Sequence, residues 1–412
     1  MQQSPAHHRN LLTLAFVVLL GVPSIVLFTY HIDSHPLVSA AVFGVGILAG
    51  AFLLSWAAEV AELDISASLA IAILALLTVL PEYVIEAVLA WDAGASFDHV
   101  ARVATEETDR VAANVTGAIR LLIGFGWAAV ILIYWLRARK PLDLRGALEP
   151  ELPFMALATV LTLAIFALGE IHVLLAALLI GVYAVYLWKI TREEGETQEL
   201  VGVSAWLGSL PVARRRTAVL LLLAYATAVI LVAADPFVES LVATGRDLGI
   251  DDFVLIQWIA PLASETPEVL VAVLFSLRSR PAVGLAILIS SEVSKLTLLI
   301  GSMVVIFSIS AGEVLSFPLN LRQADEFLLT TAVAVFGLAL LARRRADWKG
   351  GAVLLALFIA HLFFPGREPR FWFAIAYFAL AGLILALDWR RLPYLVNENW
   401  GEAWERVRNA QG

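Results

Sequence analysis

The stretch "LLTVLPEYVIEA", residues 76–87, sits inside a long apolar run yet carries a proline and two glutamates, Glu82 and Glu86. A second stretch, "PLASETPEVLVA" at 261–272, repeats the combination with Pro267, Glu265 and Glu268. Proline removes a backbone donor and clashes with the carbonyl one turn back. In a lipid environment the freed carbonyl needs another partner, and a dehydrated cation can be that partner. A hydroxyl residue stands four positions before a glutamate in each stretch, Thr78 before Glu82 and Ser264 before Glu268, so hydroxyl and carboxylate share the broken turn. Glu86 lies one turn beyond Glu82, and Glu265 lies three residues before Glu268, which puts two carboxylates on one face of each helix.

The solvent for these acids follows from composition. Of 412 residues 60% are hydrophobic and 16% charged, with a mean hydropathy of +0.85. Soluble chains carry about a quarter charged residues, so the bulk of this one belongs in a bilayer. The absence of cysteine removes disulfides, thiolate metal sites and cysteine nucleophiles. The net charge of −8, without a basic tract, argues against nucleic acid. Nothing resembles a phosphate-cradling glycine loop, a hydrolase triad or a haem site, so no enzyme activity and no cofactor are expected.

Apolar runs long enough to cross the hydrocarbon fall near 10–31, 36–60, 66–91, 112–136, 152–170, 171–190, 217–243, 253–277, 281–309, 326–345, 350–364 and 371–389, twelve in all. The first is too long for a signal-peptide core and lacks a cleavage pattern, and is read as a retained span. With the amino terminus inside, the basic clusters Arg137–Lys140, Arg214–Arg216, Arg278–Arg280, Arg343–Arg345 and Arg390–Arg391 all fall on the inner side. The expected protein is an all-α polytopic membrane protein with both termini cytoplasmic, in the plasma (inner) membrane. The polar stretch 193–216 is expected as a hinge between halves, and the tail from Pro393 as either an interfacial amphipathic helix or a solvated tail.

The two acidic stretches belong to an internal repeat. "TGAIRLLIGFG" (116–126) aligns without a gap to "SEVSKLTLLIG" (291–301), pairing Thr116 with Ser291, Arg120 with Lys295 and Gly126 with Gly301. Glu82 falls on the third span and Glu268 on the eighth, so the repeats run in opposite senses through the membrane. Inverted repeats with a midplane site are the architecture of secondary transporters. The expected organisation is an extra helix in 1–35, a first five-helix repeat in 36–192, the linker 193–216, a second repeat in 217–366, and an extra helix with its tail in 367–412.

At these residues the chain resembles the calcium:cation antiporter superfamily, the sodium/calcium and proton/calcium exchangers. "LTVLPE" and "ASETPE" keep the hydroxyl, proline and glutamate of that family's first repeat motif, and "DPFVESLVATGRDLGID" looks like its segment ahead of the second repeat. The resemblance covers roughly 36–136 and 217–310. It implies Glu82 and Glu268 as central ligands of a transported cation (calcium, sodium or a proton), with Thr78, Ser264, Thr116 and Ser291 in support. The departures are Arg120 and Lys295, which stand where the family places an Asn or Asp ligand, with Glu265 in place of a serine and Glu292 in place of an asparagine. The first repeat also carries about 11 extra residues between its motif helices.

The expected function is a secondary cation antiporter working by alternating access, with small inorganic cations and the bilayer as its partners. Arg120 and Lys295 are expected as charge-compensating gates, a tethered ammonium standing in for substrate when the site is empty. Glu86, Glu265, Glu292 and Asn114 are further candidates for the site or its pathway. A bland reading makes the same acids and bases a buried ion-pair lock. Two rivals follow: a proton-coupled carrier of another, anionic solute held by Arg120 and Lys295, and a non-transporting scaffold fastened by ion pairs. Glu59, Glu62, Glu106, Glu107, Asp109, Asp251 and Asp252 read first as solvated acids near the mouths, and His172 and His361 as packing residues.

Overall fold

The computed structural model describes residues 5–32, 34–61, 63–64, 80–144, 148, 151–191, 200–249, 252–277 and 279–387. Thirteen helices account for nearly all of them: α1 Pro5–Tyr30, α2 Pro36–Ala61, α3 Leu80–Ala95, α4 Glu106–Ala138, α5 Glu151–Leu168, α6 Val173–Ile190, α7 Val203–Gly208, α8 Val212–Leu248, α9 Asp252–Leu277, α10 Pro281–Ala311, α11 Leu321–Leu341, α12 Trp348–Leu362 and α13 Arg367–Leu387. Among the described residues nine helices are long and apolar enough to cross a membrane, and α9 makes a tenth if its two segments, bent by 54° at Pro267, form one span. The remaining two expected spans correspond to α12, of 15 residues, and to α3, ahead of which 65–79 lies outside the described residues. Helix α8, at 37 residues, reaches roughly 55 Å at 1.5 Å per residue. It therefore outruns the hydrocarbon, and Arg214–Arg216 and Arg246 at its two ends need not enter it.

Two compact units form, and α4, α9, α10 and α11 contribute to both. The first holds 1–118, 168–270 and 294–323; the second holds 119–167, 271–293 and 324–412. In the first unit α2 lies along α8, closely enough that a Cβ on Gly50 would stand 2.7 Å from Ile230. Leu53, Leu54, Ala57, Val219, Leu222 and Ile230 fill the seam, and the short α7 adds Val203 and Leu207 to the same apolar cluster. The expected hinge is thus helical and packed in its described part. Tyr225 on α8 donates to the Val18 carbonyl of α1 at 2.8 Å. Between α5 and α6, Gly169 turns with φ +66°, and Glu170–Ile171 (β2) pairs antiparallel with Phe317–Pro318 (β3). His172 is the N-cap of α6, its Nδ1 accepting from the Leu174 amide at 3.2 Å, so it caps rather than packs.

In the second unit the latter half of α4 packs on α12, with Trp135 and Trp348 ring centroids 5.0 Å apart. Leu142–Asp143 (β1) pairs antiparallel with Arg345–Ala346 (β4) at one end of this packing. Thr162 on α5 and Thr331 on α11 meet at 3.2 Å, and Ser276 donates to the Val130 carbonyl at 2.8 Å. Three hydroxyls satisfied in this way fasten helices without leaving their polar groups unpaired in an apolar interior.

Candidate cation site

Pro81 and Glu82 stand in the first described turn of α3. Glu86 follows on the same face, and both glutamates are buried. On α9, Pro267 separates the segment Phe253–Thr266 from Glu268–Leu277, with Ser264 and Glu265 buried just ahead of the break and Glu268 half-buried just after it. Ser264 turns its hydroxyl back to the Ala260 and Pro261 carbonyls, both at 3.4 Å.

Lys295 joins the two acidic stretches. Its Nζ lies 3.0 Å from Glu265 Oε2 and 3.3 Å from Glu82 Oε2, and its side chain is fully buried. Neither Glu82 oxygen accepts a hydrogen bond of good geometry among the described residues, nor does Glu86 Oε1. The other Glu86 oxygen accepts from Asn114 Nδ2 at 2.7 Å. Thr116 donates to the Ala112 carbonyl at 2.6 Å and accepts from Gln257 Nε2 at 3.4 Å. Gly117 makes this approach of α4 to α9 feasible, since a Cβ there would sit 1.9 Å from the Gln257 carbonyl oxygen. The first unit thus holds Glu82, Glu86, Asn114, Thr116, Ser264, Glu265, Glu268 and Lys295. Thr78 lies outside the described residues.

The repeat-related cation has other company. Arg120 belongs to the second unit, where its Nη2 lies 2.7 Å from Glu326 Oε2. The other Glu326 oxygen takes Nη1 of Arg370, from α13. All three side chains are buried, as is His361, which sits among the rings of Phe358, Phe373 and Tyr377. Arg367 and Asp325 make a parallel pair at 2.5 Å. Ser291 and Glu292 also belong to this unit and are buried there. Glu326 is the first residue of the expected span 326–345 and Arg370 lies just outside the expected span 371–389, so neither stands out in the sequence as a site residue. The available signal was a carboxylate followed at once by "FLLTTAVAVFG", in the same way that Glu82 stands in its own apolar run.

Both cation-bearing helices carry a turn of π-helix at or just after the cation, Leu122–Trp127 in α4 and Lys295–Leu299 in α10. Single π turns are rare and concentrate at functional positions, and these two overlap in the repeat alignment. Asp109, by contrast, is drawn into a cap, accepting from Asn320 at 2.7 Å and Gln323 at 2.8 Å. Among the described residues no three acidic or histidine side chains come together closely enough to hold a metal ion by themselves. The arrangement is therefore a pair of carboxylates, from α3 and α9, bracketing an ammonium from α10, with the Glu86–Asn114 and Thr116–Gln257 pairs in the same unit.

The family model for sodium/calcium exchanger proteins matches residues 35–192 and 218–366. The chain belongs to that family. It is similar to the crystal structure of the H+/Ca2+ exchanger CAX, at 36% identity over 95% of this chain and 98% of that one, with a TM-score of 0.88. The Ca2+/H+ antiporter protein YfkE shares the fold at 16% identity, covering 89% of this chain and 99% of the other, with a TM-score of 0.61. So does the sodium-calcium exchanger NCX_Mj, at 16% identity over 78% and 96% of the two chains and a TM-score of 0.51. No match is found among functionally curated proteins. The protein is an integral membrane member of a cation-antiport family, and not an enzyme.

Proposed function

We propose that this member of the sodium/calcium exchanger family exchanges calcium for protons by alternating access, with Glu82 and Glu265 as the central carboxylates. The observation that carries the reading is the pair itself. One glutamate from each Pro-Glu stretch is buried in the first unit, and both lie within 3.3 Å of a single Nζ. Calcium seeks six to eight oxygens, charged ones by preference. Glu82, Glu265 and Glu268, the Ser264 and Thr116 hydroxyls and the Gln257 amide supply that chemistry from α3, α4 and α9. Thr78, paired with Ser264 by the repeated motif, is retained as a supporting ligand. Similarity to an H+/Ca2+ exchanger at 36% identity favours protons over sodium as the counter-ion. A carboxylate that releases calcium can take a proton in its place, which sodium exchange does not require.

The proposed orientation puts both termini in the cytoplasm, from the excess of Lys and Arg on one side. The repeats 36–192 and 217–366 are the elements that alternate. The test is calcium uptake into proteoliposomes against an imposed proton gradient, with and without sodium, for the wild type, Glu82→Gln and Glu265→Gln. Uptake that a protonophore abolishes, that sodium does not replace and that either substitution removes supports the assignment. Equal flux in wild type and both variants refutes it.

A further inference from the structure

Glu86 is the second buried carboxylate of α3, one turn beyond Glu82, and takes no part in the grip on Lys295. It is 1% exposed. One oxygen accepts from Asn114 Nδ2 of α4 at 2.7 Å, and the other meets no donor among the described residues. The ionisable groups on the helices around it are Glu82 and Tyr83 on α3 itself, Glu265 and Glu268 on α9, Lys295 on α10, Glu107 and Arg110 on α4, Asp235 and Glu239 on α8, and Glu59 on α2. The two cations among them have acids of their own: Lys295 bridges Glu82 and Glu265, and Arg110 stands 3.7 Å from Glu107. A carboxylate buried with one neutral donor and no cation is poorly solvated as an anion, and takes up a proton instead. Asn114 suits either form. Its amide nitrogen donates to the ionised group, and its amide oxygen accepts from the protonated one; a lysine or arginine in its place would hold the charged form alone.

We infer that Glu86 is a proton site of the exchange cycle, separate from the calcium carboxylates: neutral while the central site is without calcium and ionised while calcium is seated there. The inference rests on the calcium-for-proton reading above, and adds one proton to those that the central carboxylates take. Glu86 stands one turn from Glu82, so calcium at Glu82 brings two positive charges close to its carboxyl through a medium that screens them weakly. The Glu86 O–H bond then breaks, its electron pair staying on the carboxylate, and the proton leaves to water on the side from which calcium entered. After calcium departs to the other side, a proton from that side re-forms the bond. Each cycle thus carries a proton against calcium, and the exchange stays coupled. The linkage is reciprocal: the ionised Glu86 strengthens calcium binding as much as calcium favours its ionisation.

The experiment counts the protons released when calcium is added to the purified full chain, at neutral pH in weakly buffered detergent solution without sodium, using a pH-indicator dye. Infrared difference spectra of the same addition follow the carbonyl stretch of a protonated carboxyl. Glu86→Gln keeps the shape of the side chain but cannot ionise. It is expected to release about one proton fewer per calcium than the wild type and to lose one carboxyl band from the difference spectrum. Its half-maximal calcium is expected to change about tenfold less per pH unit. Glu86→Asp, which still titrates, restores the release. Glu86→Leu takes the place of the glutamine variant if the latter is not monodisperse. A group that only fastened α3 to α4 would alter the unfolding midpoint and leave the proton count alone. Equal release in wild type and Glu86→Gln overturns the inference and leaves the calcium site standing. Loss of all calcium binding in both Glu86→Gln and Glu86→Leu does the same, since Glu86 would then be a calcium ligand. Calcium binding by the wild type without proton release overturns the choice of counter-ion, and this inference with it.

Discussion

The triad of the second unit makes a prediction whose ordering is as informative as its size. Glu326 is fully buried and accepts from Arg120 at 2.7 Å on one oxygen and from Arg370 on the other. Glu326→Gln keeps the shape and removes the only formal negative charge of the three. Breaking a buried ion pair by neutralising one partner costs about 3–5 kcal/mol, since the surviving charge stays in a poor solvent. Here two guanidiniums survive and repel each other, so the loss is expected at the top of that range or beyond it. Against a total stability of about 5–15 kcal/mol, much of the protein should fail to accumulate in folded form. Arg120→Met and Arg370→Met each leave one arginine facing Glu326, a balanced pair, and are expected to lose less. Replacing all three with apolar residues of similar volume removes the buried charge altogether, and such replacements in other proteins are neutral or stabilising. The assay is the thermal unfolding midpoint of detergent-purified protein with the yield of monodisperse material. The expected order of stability is triple variant above either arginine variant, with Glu326→Gln lowest. A Glu326→Gln protein as stable as Arg120→Met would show that Glu326 does not hold both arginines.

Gly117→Ala would drive a Cβ to 1.9 Å from the Gln257 carbonyl oxygen. Overpacking of this kind costs about 1–3 kcal/mol; a lower unfolding midpoint is expected, whereas Gly181→Ala, which meets nothing within 4 Å, should be neutral. Asn114→Leu removes the donor 2.7 Å from buried Glu86, a loss of about 1–3 kcal/mol, to be read as a lower unfolding midpoint that the double variant with Glu86→Gln partly recovers. The Arg215 guanidinium, bonded to Asp64 at 2.7 and 2.8 Å, holds the Asp64 carboxyl below its ordinary range, with Arg216 at 3.3 Å adding to the effect. A depressed folded-state value means that the bridge stabilises fully above the unfolded value of about 3.9 and is lost as pH falls below it toward the folded value. Asp64→Asn should therefore lower the unfolding midpoint at neutral pH and narrow its difference from wild type in that acidic window; a constant difference across pH would refute the assignment.

Much of the protein is decided along the chain without reference to its fold. Hydropathy places the spans because a residue's transfer into lipid depends chiefly on its own chemistry, and eleven of the twelve expected runs coincide with described helices over most of their length, the third meeting only the end that α3 covers. Buried acids such as Glu82 and Glu265 stand out for the same reason, as carboxylates in apolar runs are costly wherever they point. The alignment of Arg120 with Lys295 is likewise a property of the sequence. What each of those cations does is not. Lys295 meets Glu82 and Glu265, while Arg120 meets a glutamate and an arginine brought by α11 and α13. Charge pairing falls off with distance in space and is indifferent to distance along the chain. Only the packing of helices remote in sequence could assign one buried cation to the carboxylates of the candidate site and the other to a fixed ion-paired core.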